Sequence, residues 1–461
     1  MKISASGYRW ATLAVICAAQ FFYLMDAFLL NVSAPAILEE FSSPAVLKGV
    51  LSANQIAFAS FVFLGGRLGD AFGRNRLFTV GLFGASASAL AAAQANTGWG
   101  LIGARAAQGV FFACLVPQIM AILVSVFEDD ERPRALGIFG TVIGFGGVSG
   151  FLAGGLVLEF AGQDSGWRSV FYAVGPALGL LGLLSLRFVP HFPRHPHSAI
   201  DVSSSVLLLS AASLIIGPIT AQGVIEVSGA ALAIALGLTC GWGLYNRQRG
   251  RVARGEPSLI SARLAASFAF RSGATATFLF FLTNLSFYFT STMYLSDAFD
   301  LSGLPLSLAY LPLGFAFIAG ARVGTSHFKR LGLKVISIGL SLQLVALSVL
   351  MLVTVLAHAH LSIVIGIFAA FGLAQGIVMP SLIGFLVSLA SASESGTASG
   401  AQQSAQQFGN AIGVAVAGTI FFTVQATTGS AAAMSAVSVV LALVSANCLL
   451  LIYKLSQKTA A

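Results

Sequence analysis

Charged side chains are scarce in this sequence of 461 residues. They make up 9% of the residues, whereas soluble proteins average about 25%. Hydrophobic side chains make up 57% and form apolar runs of about twenty residues from end to end. An α-helix of that length crosses the roughly 30 Å hydrocarbon core of a bilayer. The composition excludes an ordinary soluble domain and predicts an all-α integral membrane protein.

The sequence also lacks the features that mark enzymes and metal proteins. It has no GxxxxGK[ST] loop, so we expect no direct use of ATP. No nucleophile with a base is evident, so we expect no enzymatic reaction. The segment HFPRHPH, with His191, His195 and His197, offers no acidic or cysteine ligand, and we expect neither a metal site nor a cofactor. The four cysteines lie within apolar runs without CxxC spacing and are interpreted as packing residues.

Turn-rich or charged breaks divide the chain into predicted membrane spans. We predict fourteen of them: 9–33, 47–67, 76–95, 99–124, 134–160, 168–188, 201–222, 228–246, 269–297, 303–325, 333–355, 361–389, 398–425 and 431–454. The net charge of +8 is spread singly over short loops, which argues against nucleic-acid binding.

The distribution of Lys and Arg predicts the orientation, because cytoplasmic loops are rich in both. The predicted cytoplasmic loops carry Arg74 and Arg76, Arg132 and Arg134, Arg187 and Arg194, Arg247 to Arg271, and Lys329 to Lys334. The predicted outer loops keep only Lys48 and Arg168. We therefore expect both termini to be cytoplasmic.

The fifth and thirteenth predicted spans share a glycine pattern. The fifth has glycines separated by nine, four and five residues, and the thirteenth repeats them at an offset of 263. The two sets are Gly137, Gly146, Gly150 and Gly155, and Gly400, Gly409, Gly413 and Gly418. The same offset relates Gly109 and Pro117 to Gly372 and Pro380. These matches indicate an internal repeat.

The repeat predicts the domain organisation. Eight spans, an even number, separate equivalent helices, so the copies run in the same direction and form parallel repeats. We predict a six-helix bundle at residues 1–190 and a second at 266–461. The linker, residues 191–265, would contain two inserted membrane helices.

The segment GGRLGDAFGRNRLF ends the second span and contains Gly66, Asp70, Gly73, Arg74 and Arg76. It closely resembles the loop motif of the major facilitator superfamily. Glycines permit a tight turn, and an aspartate here can pair with a base or face a helix N-terminus. The resemblance implies that Asp70 and the loop arginines lock the inner gate. A solvated turn is the alternative interpretation.

The first span contains LMDAFLLNVSAPAI, with Asp26, Asn31 and Pro35. It resembles the first-helix motif of the drug:proton antiporters that have fourteen transmembrane helices. An acid within the membrane costs about 2.5–3.5 kcal/mol on insertion scales, so we expect Asp26 to be functional and to exchange a proton. The alternative is an acid near the outer rim that snorkels to water or caps a helix.

The fourth span contains LIGARAAQGVFFACLVP, with Arg105, Gln108 and Gly109. It resembles the superfamily motif in which a buried arginine is linked to proton movement. At 1.5 Å per residue, Asp26 lies about 24 Å from the inner side and Arg105 about 9 Å from the outer side, which are similar depths. The resemblance implies that the first and fourth helices both line the cavity, so we expect Asp26 and Arg105 to interact directly or through water and, with Asn31, to couple protons to substrate. An arginine held by backbone carbonyls is the alternative.

The glycine-rich fifth span resembles the motif associated with exporters of the superfamily. The segment GFLAGG has Phe151 where the family has a proline, which weakens the inference of export, and any kink must come from the glycines. We expect close helix packing at four of them. These are Gly146, Gly150, Gly154 and Gly155.

The second half is richer in uncharged polar and aromatic side chains. Gln108, Asn284, Gln375 and Gln406 are candidates for lining the cavity, with hydrogen bonding between helices as the alternative. The ninth span carries aromatic side chains around Asn284, which stack on a planar drug or pack against lipid and neighbouring helices.

The resemblance implies a proton-coupled transporter that exports small lipophilic or cationic molecules by alternating access. It would work as a monomer in the inner or plasma membrane, with the proton gradient as its energy source. One alternative is a proton-coupled metabolite importer on the same fold. A receptor or lipid-handling protein that reuses the fold is another.

Overall fold

The computed structural model describes residues 5–127, 131–161, 166–193, 201–222, 224–256, 258–356, 360–391 and 394–460. Arg194, His195 and His197 therefore lie outside the described residues. The described chain is helical, which confirms the all-α prediction. Its helices are α1 Ala5–Val32, α2 Ala34–Phe41, α3 Pro44–Phe72, α4 Arg74–Ala93, α5 Gly98–Val126, α6 Arg132–Ala161, α7 Gly166–Phe188, α8 Val202–Thr220, α9 Val227–Ala253, α10 Ala262–Ala266, α11 Phe268–Phe299, α12 Gly303–Ala309, α13 Leu311–Leu331, α14 Leu333–Val355, α15 Leu361–Ser388, α16 Ser395–Thr428 and α17 Ser430–Ala460.

Fourteen of the helices in the described ranges are long, and they coincide with the fourteen predicted spans. Twelve are apolar enough to cross a membrane by length and composition, and α6 makes a thirteenth if its bent halves form one span. The remaining long helix, α11, is rich in Ser and Thr that are buried inside the bundle. A helix enclosed by other helices does not need a fully apolar surface.

The tenth predicted span contains a one-residue turn at Tyr310, between α12 and α13, but the two helices together form one apolar span from Gly303 to Phe328. Pro312, at the start of α13, lacks the N–H that would continue the helical hydrogen bonds of α12.

One predicted position differs from the structure. Lys48, predicted in an outer loop, lies in α3 and is 3% exposed. Its Nζ donates a hydrogen bond to Oγ1 of Thr419 on α16 at 2.7 Å, which offsets part of the cost of burying the ammonium group.

The long helices form two sets with matching neighbours. In the first set, α1 and α3–α7, the main pairs are α1 with α6, α3 with α5, and α4 with α5 and α7. In the second set, α11 and α13–α17, they are α11 with α16, α13 with α15, and α14 with α15 and α17. Each pair in one set has its counterpart in the other, which agrees with the predicted repeat. The division at residues 190 and 266 stays a prediction.

Equivalent glycines make equivalent close approaches. A Cβ atom at Gly109 of α5 would lie 2.2 Å from the carbonyl oxygen of Asn54, and one at Gly372 of α15 would lie 2.2 Å from that of Leu313. Either distance is too short for any side chain, so both sets need glycine where these helices cross.

The two inserted helices differ in their environment. α8 packs against α3, α16 and α9. α9 is mostly exposed, and Gly237 is its buried residue. α8 therefore covers the seam between the two sets. We call the side where α3 ends and α4 begins the basic side, and the other the opposite side.

Candidate functional site

An ion pair links α1 to α5 within the first set. Nη1 of Arg105 donates to Oδ2 of Asp26 at 2.8 Å, and Nε2 of Gln108 donates to Oδ1 at 3.1 Å. Nη1 of Arg105 also donates to Oε1 of Gln108. The exposed fractions are 4% for Asp26, 1% for Arg105 and 0% for Gln108. Asp26 and Arg105, which the sequence places at similar depths in the membrane, are therefore in direct contact.

This pairing compensates two charges that are almost fully buried. A buried carboxylate or guanidinium alone carries a large desolvation cost, which mutual attraction and further hydrogen bonds offset. Both carboxylate oxygens of Asp26 accept hydrogen bonds, and the guanidinium of Arg105 lies 5.7 Å from the centre of the Phe171 ring. The Nε of Arg105 is buried without a hydrogen-bond partner among the described residues. Any change that neutralises Asp26 therefore leaves Arg105 short of partners.

Asn31 lies apart from this pair. Its Nδ2 donates to the carbonyl oxygen of Ala27 at 2.8 Å, within α1. Its Oδ1 is buried without a hydrogen-bond partner in the described part of the chain. The structure does not bring Asn31 to Asp26, so a role in coupling has no direct contact to support it.

A cavity of about 980 Å³, counting space open to solvent, lies beside Asp26. Side chains of both helix sets line it, including the predicted Asn284 and Gln406.

Two residues predicted to line the cavity lie behind its wall, because buried partners hold them. Gln108 bonds to Asp26 and Arg105. Gln375 accepts from Nδ2 of Asn284 at 2.8 Å and donates to Oε1 of Gln343 at 3.2 Å. The expectation that Gln108 and Gln375 line the cavity was therefore wrong, and the alternative of hydrogen bonding between side chains describes both.

Other polar side chains of the wall were missed by the sequence analysis. Asn54 and Gln55 of α3 contribute to it, as do Tyr23 of α1 and Gln407 of α16. Nε2 of Gln407 donates to the Tyr23 hydroxyl at 2.9 Å and so crosses between the two sets. The adjacent Asn54 and Gln55 inside an apolar span were the available signal.

Aromatic rings close the cavity towards the opposite side. Phe151 of α6 stacks on Tyr310 with ring centres 4.4 Å apart, and it also contacts Phe28 at 5.2 Å and Tyr288 at 5.5 Å. Phe28 and Phe151 belong to the first set, and Tyr288 to the second. The residue that replaces the family proline is therefore a central part of this closure.

The glycines of α6 pack as the sequence predicts, mainly on α1. Cβ atoms at Gly146 and Gly150 would lie 3.0 Å from Cβ of Leu24 and 2.8 Å from the Met25 carbonyl oxygen. Gly154 is looser, at 3.4 Å from Leu29, and Gly155 instead faces Ser307 of α12. α6 bends by 42° between Gly147 and Ser149. Neighbouring Gly and Ser residues are a common cause of helix kinks.

The predicted gating loop forms a compact turn at the basic side. Arg74 pairs with Oδ1 of Asp70 at 3.2 Å and donates to Oγ of Ser125 on α5 at 3.1 Å. Gly73 has φ of 102°, which favours glycine, and it separates α3 from α4. Arg76 is exposed.

The glycine that packs this loop against α5 is not Gly66. A Cβ at Gly66 would meet no atom within 4 Å, whereas one at Gly65 would lie 2.0 Å from the carbonyl oxygen of Ala113. The face of α3 that meets α5 carries Gly65 and Gly69, and the assignment of Gly66 to the gating loop stays a prediction.

The profile of the Major Facilitator Superfamily matches residues 16–414. The chain belongs to this superfamily. A solved structure of PepTSo, a POT family transporter, shares the fold with a TM-score of 0.71 at 14% identity, over 98% of both chains. The assignment made from the sequence motifs is confirmed at the level of the superfamily.

Two curated relatives of this superfamily member come from Streptomyces. The chain is 30% identical over 364 residues to the probable actinorhodin transporter of Streptomyces coelicolor, which is 74% of this chain and 60% of that protein. It is 38% identical over 188 residues to the puromycin resistance protein pur8 of Streptomyces alboniger, which is 40% of this chain and 36% of that protein. The chain thus spans less than two thirds of either relative.

Proposed function

We propose that this protein exports small lipophilic or cationic molecules in exchange for protons. The observation that carries the proposal is the buried pair of Asp26 and Arg105 beside a cavity lined by both helix sets. The relatives named as a transporter and a resistance protein support a small-molecule substrate and export. The basic side would face the cytoplasm, with both termini, in an inner or plasma membrane.

One carboxylate can serve both the proton and the substrate. A proton on Asp26 removes the negative charge to which Arg105 and Gln108 donate. A cationic substrate that reaches Asp26 competes for the same charge. Proton and cation then exclude each other at this site, which is the condition for exchange. No cofactor is required, because the proton gradient supplies the driving force.

Alternating access would use the two ends of the bundle in turn. Opening the opposite side requires Phe151 to separate from Tyr310, which belong to different halves of the structure. Closing the basic side would bring the loop of Asp70 and Arg74 against the second set. A single chain contains all of these parts, so we propose a monomer.

Energised inverted membrane vesicles test the direction and the coupling. We expect ethidium to accumulate inside them when a proton gradient is imposed, and the Asp26→Asn variant to abolish this accumulation. Asp297→Asn, the same change at an exposed position of α11, is the control and should behave like the wild type. Accumulation only in right-side-out vesicles would favour an importer, and full accumulation by Asp26→Asn would contradict the proposed coupling.

A further inference from the structure

Three amide side chains of the cavity wall each have a polar atom that is buried and unbonded. These atoms are Nδ2 of Asn54, Oε1 of Gln55 and Oδ1 of Asn410, and none has a hydrogen-bond partner among the described residues. The residues are 3%, 5% and 7% exposed. Native proteins pair nearly all buried polar atoms, because an unpaired one is costly. Three in one cavity wall therefore indicate that a partner is missing.

The three residues lie at one level of the seam between α3 and α16. Oγ of Ser52 donates to the carbonyl oxygen of Ala411, and Oγ of Ser404 donates to that of Ala59. From the first contact to the second, the residue number rises by seven on α3 and falls by seven on α16. The two helices are therefore antiparallel, and their register is the same at both contacts. That register sets Asn410 opposite residue 53, beside Asn54 and Gln55. We call Asn54, Gln55 and Asn410 the amide cluster.

Neighbouring polar groups of the wall already have partners. Gln407 bonds to Tyr23 and accepts from Nδ2 of Asn410 at 3.0 Å. Asp26 is engaged by Arg105 and Gln108. Among the described side chains that line the cavity, the buried polar atoms without a partner therefore belong to uncharged amides and not to Asp26.

This chemistry defines what the amide cluster can bind. Each amide carries both a donor and an acceptor, and the soft terminal torsion of Asn and Gln lets either one turn towards the cavity. With no charge in the cluster, the complementary ligand edge is neutral and combines a donor with an acceptor, such as a hydroxyl beside a carbonyl. Elsewhere the wall offers rings for a flat apolar body, including Phe28, Phe281, Tyr288 and Phe317.

We propose that the amide cluster is a binding subsite for the uncharged hydrogen-bonding edge of a planar aromatic substrate. Asn54 and Gln55 belong to the first helix set and Asn410 to the second, so the ligand edge joins both. This inference rests on the proposed transport function and names a substrate class for it. Asp26 then selects cationic ligands, and the amide cluster selects neutral ones.

Equilibrium binding to the purified full-length protein tests this division with two probes. One is 1,8-dihydroxyanthraquinone, which is planar and neutral with a hydroxyl and carbonyl edge, and the other is ethidium, a planar cation. Gln55→Met and Asn54→Leu keep the approximate shape without hydrogen-bonding groups, and they break no side-chain hydrogen bond recorded among the described residues. Asn447→Leu, at an exposed position of α17 whose amide bonds only to the carbonyl oxygen of Leu443 among the described residues, is the control.

We expect Gln55→Met and Asn54→Leu each to weaken binding of the anthraquinone about threefold to tenfold. Ethidium binding should change less than about twofold in these variants, and Asn447→Leu should leave both probes unaffected. Asn410→Ser, which introduces a hydroxyl that can still donate and accept a hydrogen bond, should lose less affinity than Asn410→Leu. Asp26→Asn should weaken ethidium and spare the anthraquinone.

Equal weakening of both probes, or of neither, by the amide variants would overturn the subsite. That result combined with proton-driven ethidium transport would leave the proposed function in place. Loss of anthraquinone affinity in the amide variants, without any coupled transport by the wild type, would instead support the subsite and reject the proposed function. Size-exclusion profiles of each variant verify folding before binding is measured.

Discussion

The two helix sets share a backbone plan but differ in the chemistry at equivalent positions. The offset of 263 relates Asp26 and Arg105 of the first set to Phe289 and Phe368 of the second. Both phenylalanines are fully buried in the apolar core. Glycine contacts between crossing helices are preserved, whereas the ion pair occurs in the first set alone. Helix packing therefore constrains both copies, whereas the proposed proton coupling uses a charged site in only one of them.

Arg105→Leu should have the largest effect on stability, because it removes the ion pair that distinguishes the first set and leaves Asp26 buried without its cation. We expect a loss of about 3–5 kcal/mol of stability at a pH where Asp26 is charged. The equivalent change in the second set, Phe368→Leu, should cost about 1.5 kcal/mol or less. Thermal unfolding in detergent measures both. Adding Asp26→Asn to Arg105→Leu should recover part of the loss, and no recovery would contradict a direct pairing.

Gly109→Ala and Gly372→Ala should have intermediate and similar effects. Each added methyl group would meet a backbone carbonyl of the crossing helix at 2.2 Å, so we expect a loss of about 1–3 kcal/mol from either change. Gly66→Ala and Gly384→Ala have open space instead and should be neutral or stabilising by up to about 1 kcal/mol. Unfolding midpoints of all four variants test this. A large difference between Gly109→Ala and Gly372→Ala would argue against structurally equivalent repeats.

Glu40→Gln should have the smallest effect, at a contact that the second set lacks. Arg168 and Trp167 of α7 donate to the Glu40 carboxylate. Hydrogen bonding from Arg168 is the main cause that lowers the pKa of Glu40 below its usual value. The offset places Ser430 and Ala431 at the corresponding positions of α17. For a partly exposed pair we expect about 0.2–1 kcal/mol.

The pH dependence of this contribution follows from the lowered pKa. The stabilisation is fully present above the unfolded pKa of about 4.3 and is lost as the pH falls through the lower folded value. The difference in unfolding midpoint between wild type and Glu40→Gln should therefore be present at neutral pH and vanish in strong acid. A difference that grows on acidification would contradict this contact.

Local sequence signals were enough for the helices, because apolar runs predicted all fourteen long ones. The contact of Asp26 with Arg105 was predicted from their similar depths together with the family resemblance, which implies that the first and fourth helices line one cavity. The break at Tyr310 was missed although Pro312 follows it, because hydropathy continues across the break. Lys48 was misplaced because its burial depends on Thr419, which is distant in the sequence.

The wall of the cavity could be predicted only in part. Gln406 and Asn284 line it, but Gln375 lies behind it, and which side of a helix faces the cavity depends on how the helices are rotated in the bundle. The amide cluster depends on the register between α3 and α16, which no local pattern encodes. Phe151 was recognised as a departure from the family proline, but its stacking on Tyr310 required the structure.

Substrate-induced proton flux through the purified protein in liposomes is the most direct test of a single coupling site in the first set. A pH-sensitive dye inside the liposomes reports protons that move when ethidium is added. The wild type and Phe289→Leu should both move protons on addition of ethidium, and Asp26→Asn should move none. Proton flux by Asp26→Asn at the wild-type rate would contradict Asp26 as the group that couples proton and substrate.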